Sequence, residues 1–538
     1  MEAAGRGVSR YWYYGLLLLV IVFFGLIRWH LRNVPLERDE GEYAYAGQLM
    51  LHGVAPYSSL YSMKLPGTFA AYALILAIFG QTIAGIHLGL LVINAATTFL
   101  VFLLGKRLFG PLAGLVAGAS YALLSTSPAV VGFAAHATNF VVLPAVAGIL
   151  ILLRATETRR SWIYFWSGVL LGLAFLMKQP GILFAIFGAV YLGYCAWQSS
   201  PRDWRGLSRK EFAYACGVVL PFGLTCVTLL ASGSFSKFWF WTFVYAREYA
   251  TTTGLGEGLG VLRIMLPSVV LPGLWIWVLA GIGLTAIAWN RQARDRRFFL
   301  ISLLLFSILA VCPGLYFRGH YFILMLPAIA LLVGVAVSSV SERIREKTPT
   351  NARPWLLPAL IFVAAFANTI YVQREYLFRM DPWNASKAIY GANPFPEAVE
   401  VAGYLKDHAS KGARIAVLGS EPEIYFYSGL RSATGYIYTY GLMEPQPYAL
   451  QMQKEMIAEI EAAQPEYIVF VGVPQSFGKL PGSEAYIFRW IDSYLRTQYD
   501  IVGVADILPQ TNYVWGDDAR NYQPRSSSYI RVFKRKAP

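Results

Sequence analysis

Pro35-Leu36-Glu37-Arg38-Asp39-Glu40-Gly41-Glu42-Tyr43-Ala44-Tyr45 follows closely on the first long apolar run of the chain, Tyr11–Ile27. Four carboxylates and an arginine fall within positions 37–42, in a sequence that is only 14% charged. Desolvating such groups at a membrane surface is costly, so a stretch that keeps them is a candidate functional element. The plainer alternative is a solvated acidic loop, and the placement of the other charges decides between the two.

The surroundings of that stretch fix the class of molecule. Of 538 residues, 56% are hydrophobic and 15% aromatic, and the mean hydropathy is +0.47. Apolar runs of about twenty residues, the length of a bilayer crossing, recur along the chain. A single soluble domain is excluded, and the pattern is that of a polytopic α-helical membrane protein. The 45 Lys and Arg against 31 Asp and Glu would suggest nucleic acid in a soluble protein. Here the positive charges cluster in short loops between apolar runs, which is how orientation is encoded. Membrane lipids are therefore expected partners and nucleic acid is not. Arg6 and Arg10 precede the first run without a convincing cleavage site, so residues 1–10 are expected as a cytoplasmic tail before a signal anchor. Cys195, Cys216, Cys226 and Cys312 lie within apolar runs without metal-ligand spacing, so neither a disulfide framework nor a metal site is expected.

Topology turns on Pro66–Phe79. If this piece spans, the clusters Lys106-Arg107, Arg154/Arg159/Arg160, Arg202/Arg205/Arg209/Lys210, Arg291/Arg294/Arg296/Arg297 and Arg343/Arg345/Lys347/Arg353 all face outward. If it lies along the interface they all face inward, as the charge rule prefers. It is also shorter than the roughly 20 residues a span needs, so it reads as a juxtamembrane helix. The spans are then Tyr11–Ile27, Ile86–Leu104, Leu112–Leu124, Phe140–Leu153, Ile163–Met177, Gly181–Trp197, Phe212–Leu230, Pro267–Trp289, Phe298–Leu315, Tyr321–Val340 and Trp355–Val372, about eleven. Arg28, Arg32, Lys237, Arg247 and Arg263 are outer positives that run against this scheme. Residues 11–373 form the membrane domain, with 28–85 as its first outer loop. Residues 374–538 become polar: Arg414–Leu418, Tyr467–Val471 and Tyr529–Phe533 read as strands, Tyr448–Ala463 and Glu484–Thr497 as helices. They predict an extracytoplasmic α/β domain.

Several polar residues then share the outer face. Lys178 sits at the break Lys178-Gln179-Pro180 of a helical hairpin, where proline interrupts the helix. Arg318, His320 and Tyr321 occupy another outer turn, His136 and Asn139 a third, and Lys64 follows the acidic stretch. Carboxylates beside cations suit the displacement of a phosphate from a lipid-borne substrate, one group taking a proton while others stabilise charge on the phosphate. Plainer readings stand beside this. Lys178 and Arg318 could snorkel to headgroups, Tyr321 could belong to an aromatic belt, and Lys64 could sit in a surface pair. His320 could cap a helix, His136 could be structural, and Phe235–Tyr249 reads as an interfacial helix rather than a sugar platform. The rival function is transport or flipping of lipid-linked sugars, which would call for polar midplane residues and repeated halves. No repeat is visible.

Taken in order, Arg38-Asp39-Glu40-Gly41-Glu42-Tyr43, Met63-Lys64-Leu65-Pro66, Lys106-Arg107-Leu108-Phe109-Gly110, Met177-Lys178-Gln179-Pro180 and Gly319-His320-Tyr321 with Leu326-Pro327 resemble the membrane glycosyltransferases of the protein O-mannosyltransferase superfamily, family 39 with the C-type fold. Bacterial relatives include aminoarabinose and galacturonic acid transferases that modify lipid A or core. The resemblance implies an inverting transfer, without metal or cofactor, from a polyprenyl-phosphate-linked sugar donor to a lipid, glycan or protein acceptor at the outer side of the plasma (inner) membrane. By the motifs, Asp39 looks like the general base, with Glu40 beside it as a second catalytic candidate. Lys64, Lys178 and Tyr321 match positions that contact donor phosphate, and Arg318 and His320 are grouped with them. Arg38, Glu42, Tyr43, His136 and Asn139 are candidates for the acceptor or sugar pocket. Asn139 stands where several relatives carry a second outer carboxylate.

Overall fold

A computed structural model describes residues 12–158, 160–199, 204–347 and 353–537. The expected tail 1–10 with Arg6 and Arg10, and Arg159 and Arg202 of the basic clusters, lie outside the described residues. The chain forms two compact units: Met1–Arg32, His87–Cys226 and Thr253–Met380 make the first, and Asn33–Ile86, Val227–Thr252 and Asp381–Pro538 the second.

Helices dominate the first unit. Among the described residues of the whole chain, seven helices are long and apolar enough to cross a bilayer: Trp12–His30, Ile83–Phe109, Ala137–Thr158, Gln179–Gln198, Ser208–Ala231, Leu255–Trp289 and Gly319–Arg345. Pro111–Leu124, Ser161–Met177, Arg297–Val311 and Leu356–Val372 are shorter apolar helices. Each of the eleven expected apolar runs thus contains a helix, although Phe298–Leu315 leaves its helix after Val311, and the chain is a multi-pass membrane protein. The largest difference lies at Pro267–Trp289, where the helix already begins at Leu255. Pro267 sits inside it, and a 3-10 turn at Leu271–Gly273 links it to Leu274–Trp289. Proline removes one backbone donor but does not end a helix that neighbouring segments support.

Close helix packing in this unit rests on small residues. A Cβ on Gly168 would strike the Tyr214 carbonyl, one on Gly172 the Val218 carbonyl, and one on Gly217 the Phe165 carbonyl. Those helices therefore approach backbone to backbone, the usual route to association in lipid. The expected hairpin is present: Ser161–Met177 stops at Lys178, whose backbone is extended (φ −159°, ψ 141°), and Ile182–Gln198 follows the turn Gln179–Gly181.

The second unit combines a helix pair with a sheet. Arg38–Leu51 packs on Pro66–Phe79 through Gly47, where a Cβ would lie 2.8 Å from the Ala73 nitrogen. Pro66 opens the second helix at a position where no backbone N–H is needed, and Gly80 (φ +88°) ends it. The six strands are β1 (Arg414–Leu418), β2 (Arg431–Ser432), β3 (Tyr467–Gly472), β4 (Tyr499–Asp506), β5 (Asn512–Trp515) and β6 (Tyr529–Arg535), in the order β2-β1-β3-β6-β4-β5. β1 runs parallel to β2 and β3; the other pairings are antiparallel. Met452, Met456 and Ile460 of Ala449–Ala463 and Ile487, Ile491 and Leu495 of Tyr486–Gln498 pack with Leu418 and Ile468 in one buried core. The Phe235–Tyr249 segment also belongs to this unit. Trp239 is largely exposed, whereas Trp241 and Tyr245 enter the same core, with the Tyr245 hydroxyl on Glu444 at 2.5 Å.

Candidate functional site

In the second unit the acidic stretch first builds its own helix start. Glu37 is the N-cap of Arg38–Leu51: its Oε1 accepts from the Glu40 amide at 3.0 Å, and Glu40 Oε2 accepts from the Glu37 amide at 3.4 Å. This reciprocal cap satisfies two orphan donors, and the helix dipole favours Asp39 and Glu40 in the first turn. Glu40 is therefore committed to folding as well as to charge. Asp39 and Glu42, one turn apart, converge on a single cation. Lys64 Nζ donates to Asp39 Oδ1 at 2.5 Å and to Glu42 Oε2 at 2.6 Å. The ammonium also stands 4.8 Å from the Tyr43 ring centre and 5.2 Å from that of Tyr438. Its backbone is fixed too, because Tyr57 donates from its hydroxyl to the Lys64 carbonyl and the Lys64 amide donates to Ser62 Oγ.

Asp39 and Glu42 are 7% and 2% exposed, so the electrostatics are those of a desolvated cluster. Burial raises the Glu42 carboxyl above its ordinary value while Lys64 pulls it back. Glu37 is pushed up to about 8 by burial and then by the charges of Asp39 and Glu40. Burial works against the charge on Lys64, yet Asp39 and Glu42 overcome it and hold the ammonium well above its usual range. The result is a fixed cation between two carboxylates, a group that an arriving anion would compete for.

Arg38 faces a different set of partners. Its Nε donates to the Ser420 carbonyl (3.1 Å), Nη1 to the Tyr440 hydroxyl (2.8 Å), and Nη2 to Asn393 Oδ1 (2.9 Å) and Glu421 Oε1 (3.3 Å). All three nitrogens are taken by the chain itself. Tyr43 is buried against Tyr72 and Phe69. Tyr438, Tyr440 and Glu421 are site neighbours that the sequence reading missed. The period-two run Tyr436-Ile437-Tyr438-Thr439-Tyr440 is a visible oddity, but nothing local ties it to residues 400 positions earlier.

The first unit holds the other expected residues. Lys178 Nζ lies 4.2 Å from the centre of the Tyr321 ring, and Tyr321 meets His320 edge-on at 4.8 Å. The His320 and His136 rings stack at 3.8 Å with an 11° tilt, both buried. Gly319 opens the turn that carries His320 and Tyr321; a Cβ there would sit 2.6 Å from the Ala129 carbonyl. Asn139 donates from Nδ2 to the Ala134 carbonyl at 3.3 Å, while its Oδ1 finds no hydrogen-bond partner among the described residues. Arg318 lies 5.6 Å from the Tyr316 ring. Lys178, His136, His320 and Tyr321 are thus brought together in one unit, and Arg38, Asp39, Glu40, Glu42, Tyr43 and Lys64 in the other. Arg28, expected as an outer loop charge, is instead buried in the last turn of the first helix, donating to the Gly132 and Ser125 carbonyls at 2.7 and 2.9 Å.

Residues 64–230 match the family model described as dolichyl-phosphate-mannose-protein mannosyltransferase. That stretch opens on Lys64 and contains Lys178, two of the cations placed above. Over that stretch the chain is similar to the protein O-mannosyltransferase superfamily. The fold is that of C-type glycosyltransferases, and ArnT from Cupriavidus metallidurans bound to undecaprenyl phosphate is similar in structure. The two are 16% identical, with a TM-score of 0.58 over 97% of this chain and 98% of the other. The apo oligosaccharyltransferase of Archaeoglobus fulgidus is similar over 95% of this chain and 75% of its own, at 12% identity and a TM-score of 0.54. AglB of the same organism, in complex with an inhibitory peptide and a dolichol-phosphate, gives the same coverage and the same values. At these identities the likeness is one of fold. No curated protein matches the sequence.

Proposed function

We propose that this protein is an integral membrane glycosyltransferase that moves a sugar from a polyprenyl-phosphate donor to an acceptor hydroxyl on the extracytoplasmic face, with inversion. The observation that carries the reading is the Lys64 ammonium held between Asp39 and Glu42 at the start of the motif helix. Donor chemistry is supported by similar folds that bind undecaprenyl phosphate or dolichol-phosphate. The acceptor oxygen attacks the anomeric carbon from the side opposite the phosphate, and Asp39 takes the hydroxyl proton. The anomeric carbon–oxygen bond to phosphate breaks, and polyprenyl phosphate leaves with the electron pair. In the second unit Lys64 stabilises the phosphate; in the first, Lys178, Arg318, His320 and Tyr321 are the residues that the motifs assign to phosphate contact. An arriving phosphate draws on Lys64 and so loosens its hold on Asp39, which turns a paired carboxylate into a competent base. Within the second unit Glu42 and Tyr43 border Asp39, and within the first His136 and Asn139 are the residues assigned to sugar or acceptor.

Asp39→Asn tests this directly. Purified variant supplied with polyprenyl-phosphate-linked sugars is expected to fold and to bind a donor analogue, yet to transfer about a hundredfold more slowly or worse, the scale of losing a general base. Near-normal turnover, read by mass spectrometry of the product, would remove Asp39 from the mechanism.

A further inference from the structure

We propose that Arg38 and Glu421 form a positioning clamp that sets Asp39 for proton transfer, in place of the sugar-pocket role the motif suggests for Arg38; this rests on the reading of Asp39 as the base. The clamp is built at both ends. Glu421 is fully buried, and its second oxygen accepts from Ser476 Oγ at 2.5 Å. Ser476 Oγ in turn accepts from the Ser420 amide at 3.0 Å, and Ser420 Oγ pairs with Thr439 Oγ1 at 3.0 Å. Tyr440, which accepts from Arg38, donates to the Gln475 carbonyl at 2.6 Å. Three of the four groups that receive the guanidinium, Glu421, Ser420 and Tyr440, are therefore themselves held by the sheet-bearing part of the second unit. The ring faces of Phe395 and Tyr440, 5.2 and 5.3 Å away, leave the fork little room to swing.

Arg38 and Asp39 are consecutive in the first turn of the helix, so fixing one backbone fixes the other. A second contact removes the remaining freedom: Gly41 lies so close to Glu423 that a Cβ would be 2.5 Å from the Glu423 nitrogen. A guanidinium on one side and a glycine seat on the other define how the helix start is rotated and how far it extends. A buried ion pair adds little stability over an apolar pair of similar size, so the role left for it is to specify geometry. Proton transfer needs that geometry, since a base must come within about 2.6–3.2 Å of its proton, and a 1 Å misplacement can cost on the order of a hundredfold.

The test is a mutant cycle with Asp39. Arg38→Lys keeps the charge but loses the fork. Its turnover is expected to fall about tenfold or more, with KM for the polyprenyl-phosphate-linked donor changed by no more than about twofold. Glu421→Gln, which keeps shape and one acceptor, is expected to show a smaller loss of the same kind. In an Asp39→Asn background neither substitution should slow the residual rate further, because the clamp acts only through that carboxylate. Should Arg38→Lys fail to fold, Glu421→Gln carries the same cycle. Equal fold-losses in both backgrounds, or wild-type turnover in the single variants, would overturn the clamp alone. Full activity of Asp39→Asn by itself would overturn the base assignment and the clamp with it.

Discussion

The two units solve the burial of a cation in opposite ways. In the second, Lys64 is met by full negative charges from Asp39 and Glu42 at 2.5 and 2.6 Å. In the first, Arg28 is 4% exposed and is met by two backbone carbonyls, with the Phe133 ring 5.6 Å away. What matters in each case is the set of groups left behind when the cation goes. Around Lys64 those are two desolvated carboxylates that repel each other. Around Arg28 they are two neutral dipoles.

The comparison is sharpest at Lys64→Ala. Removing one partner of a buried ion pair costs about 3–5 kcal/mol, because the remaining charge is stranded. The loss is expected as a large drop in thermal midpoint in detergent micelles. Lys64→Ala combined with Asp39→Asn and Glu42→Gln should recover much of it, since no anion is then stranded. A Lys64→Ala variant as stable as wild type would show that solvent screens this cluster, and that it is no more than a surface pair.

Gly41→Ala comes next. The added methyl meets backbone at Glu423, which cannot rotate away as a side-chain tip could. Overpacking of this kind costs about 1–3 kcal/mol. The same step should lower turnover, because the helix start that carries Asp39 must shift. Wild-type stability and rate together would mean that the seat at Gly41 is soft and the helix start is fixed elsewhere.

These contacts also mark how far the sequence could be read. Helices in the first unit were legible because apolar runs of membrane length have few alternatives, and the hairpin break at Lys178 was legible because proline punctuates it. Strands β1 and β3 stood out as buried apolar runs ending at glycines. β2, β4 and β5 did not: β2 is two residues long, β4 contains Asp500 and Gly503, and β5 is short and only half-buried. Such strands take their identity from neighbours rather than from their own pattern. The site divides in the same way. Asp39, Glu42 and Lys64 drew notice as charges in an apolar chain, although nothing in a 25-residue separation announces that they touch. The partners of Arg38 lie 355 to 402 positions away, and one sequence carries no pairing information at that distance. Arg28 was misjudged for the complementary reason: the charge rule assumes a solvated loop, and carbonyls at a helix break supply what solvent would.

Arg28→Met is the smallest expected effect and the finer probe of the comparison. Loss of the guanidinium leaves the Gly132 and Ser125 carbonyls without their donors, and an unsatisfied buried acceptor costs about 1–3 kcal/mol. Two terms act against that cost. A desolvated charge met by carbonyls rather than by an anion is itself unfavourable, and the Arg28 Nε finds no hydrogen-bond partner among the described residues. The methionine side chain also buries apolar surface in the same space, worth about 25 cal/mol per Å². The net is expected near 1 kcal/mol, several-fold below Lys64→Ala, and Arg28→Ala should cost more than Arg28→Met because it adds a cavity. If Arg28→Met instead destabilises as strongly as Lys64→Ala, the carbonyl pair is acting as a true counter-charge, and the difference drawn between the two units collapses.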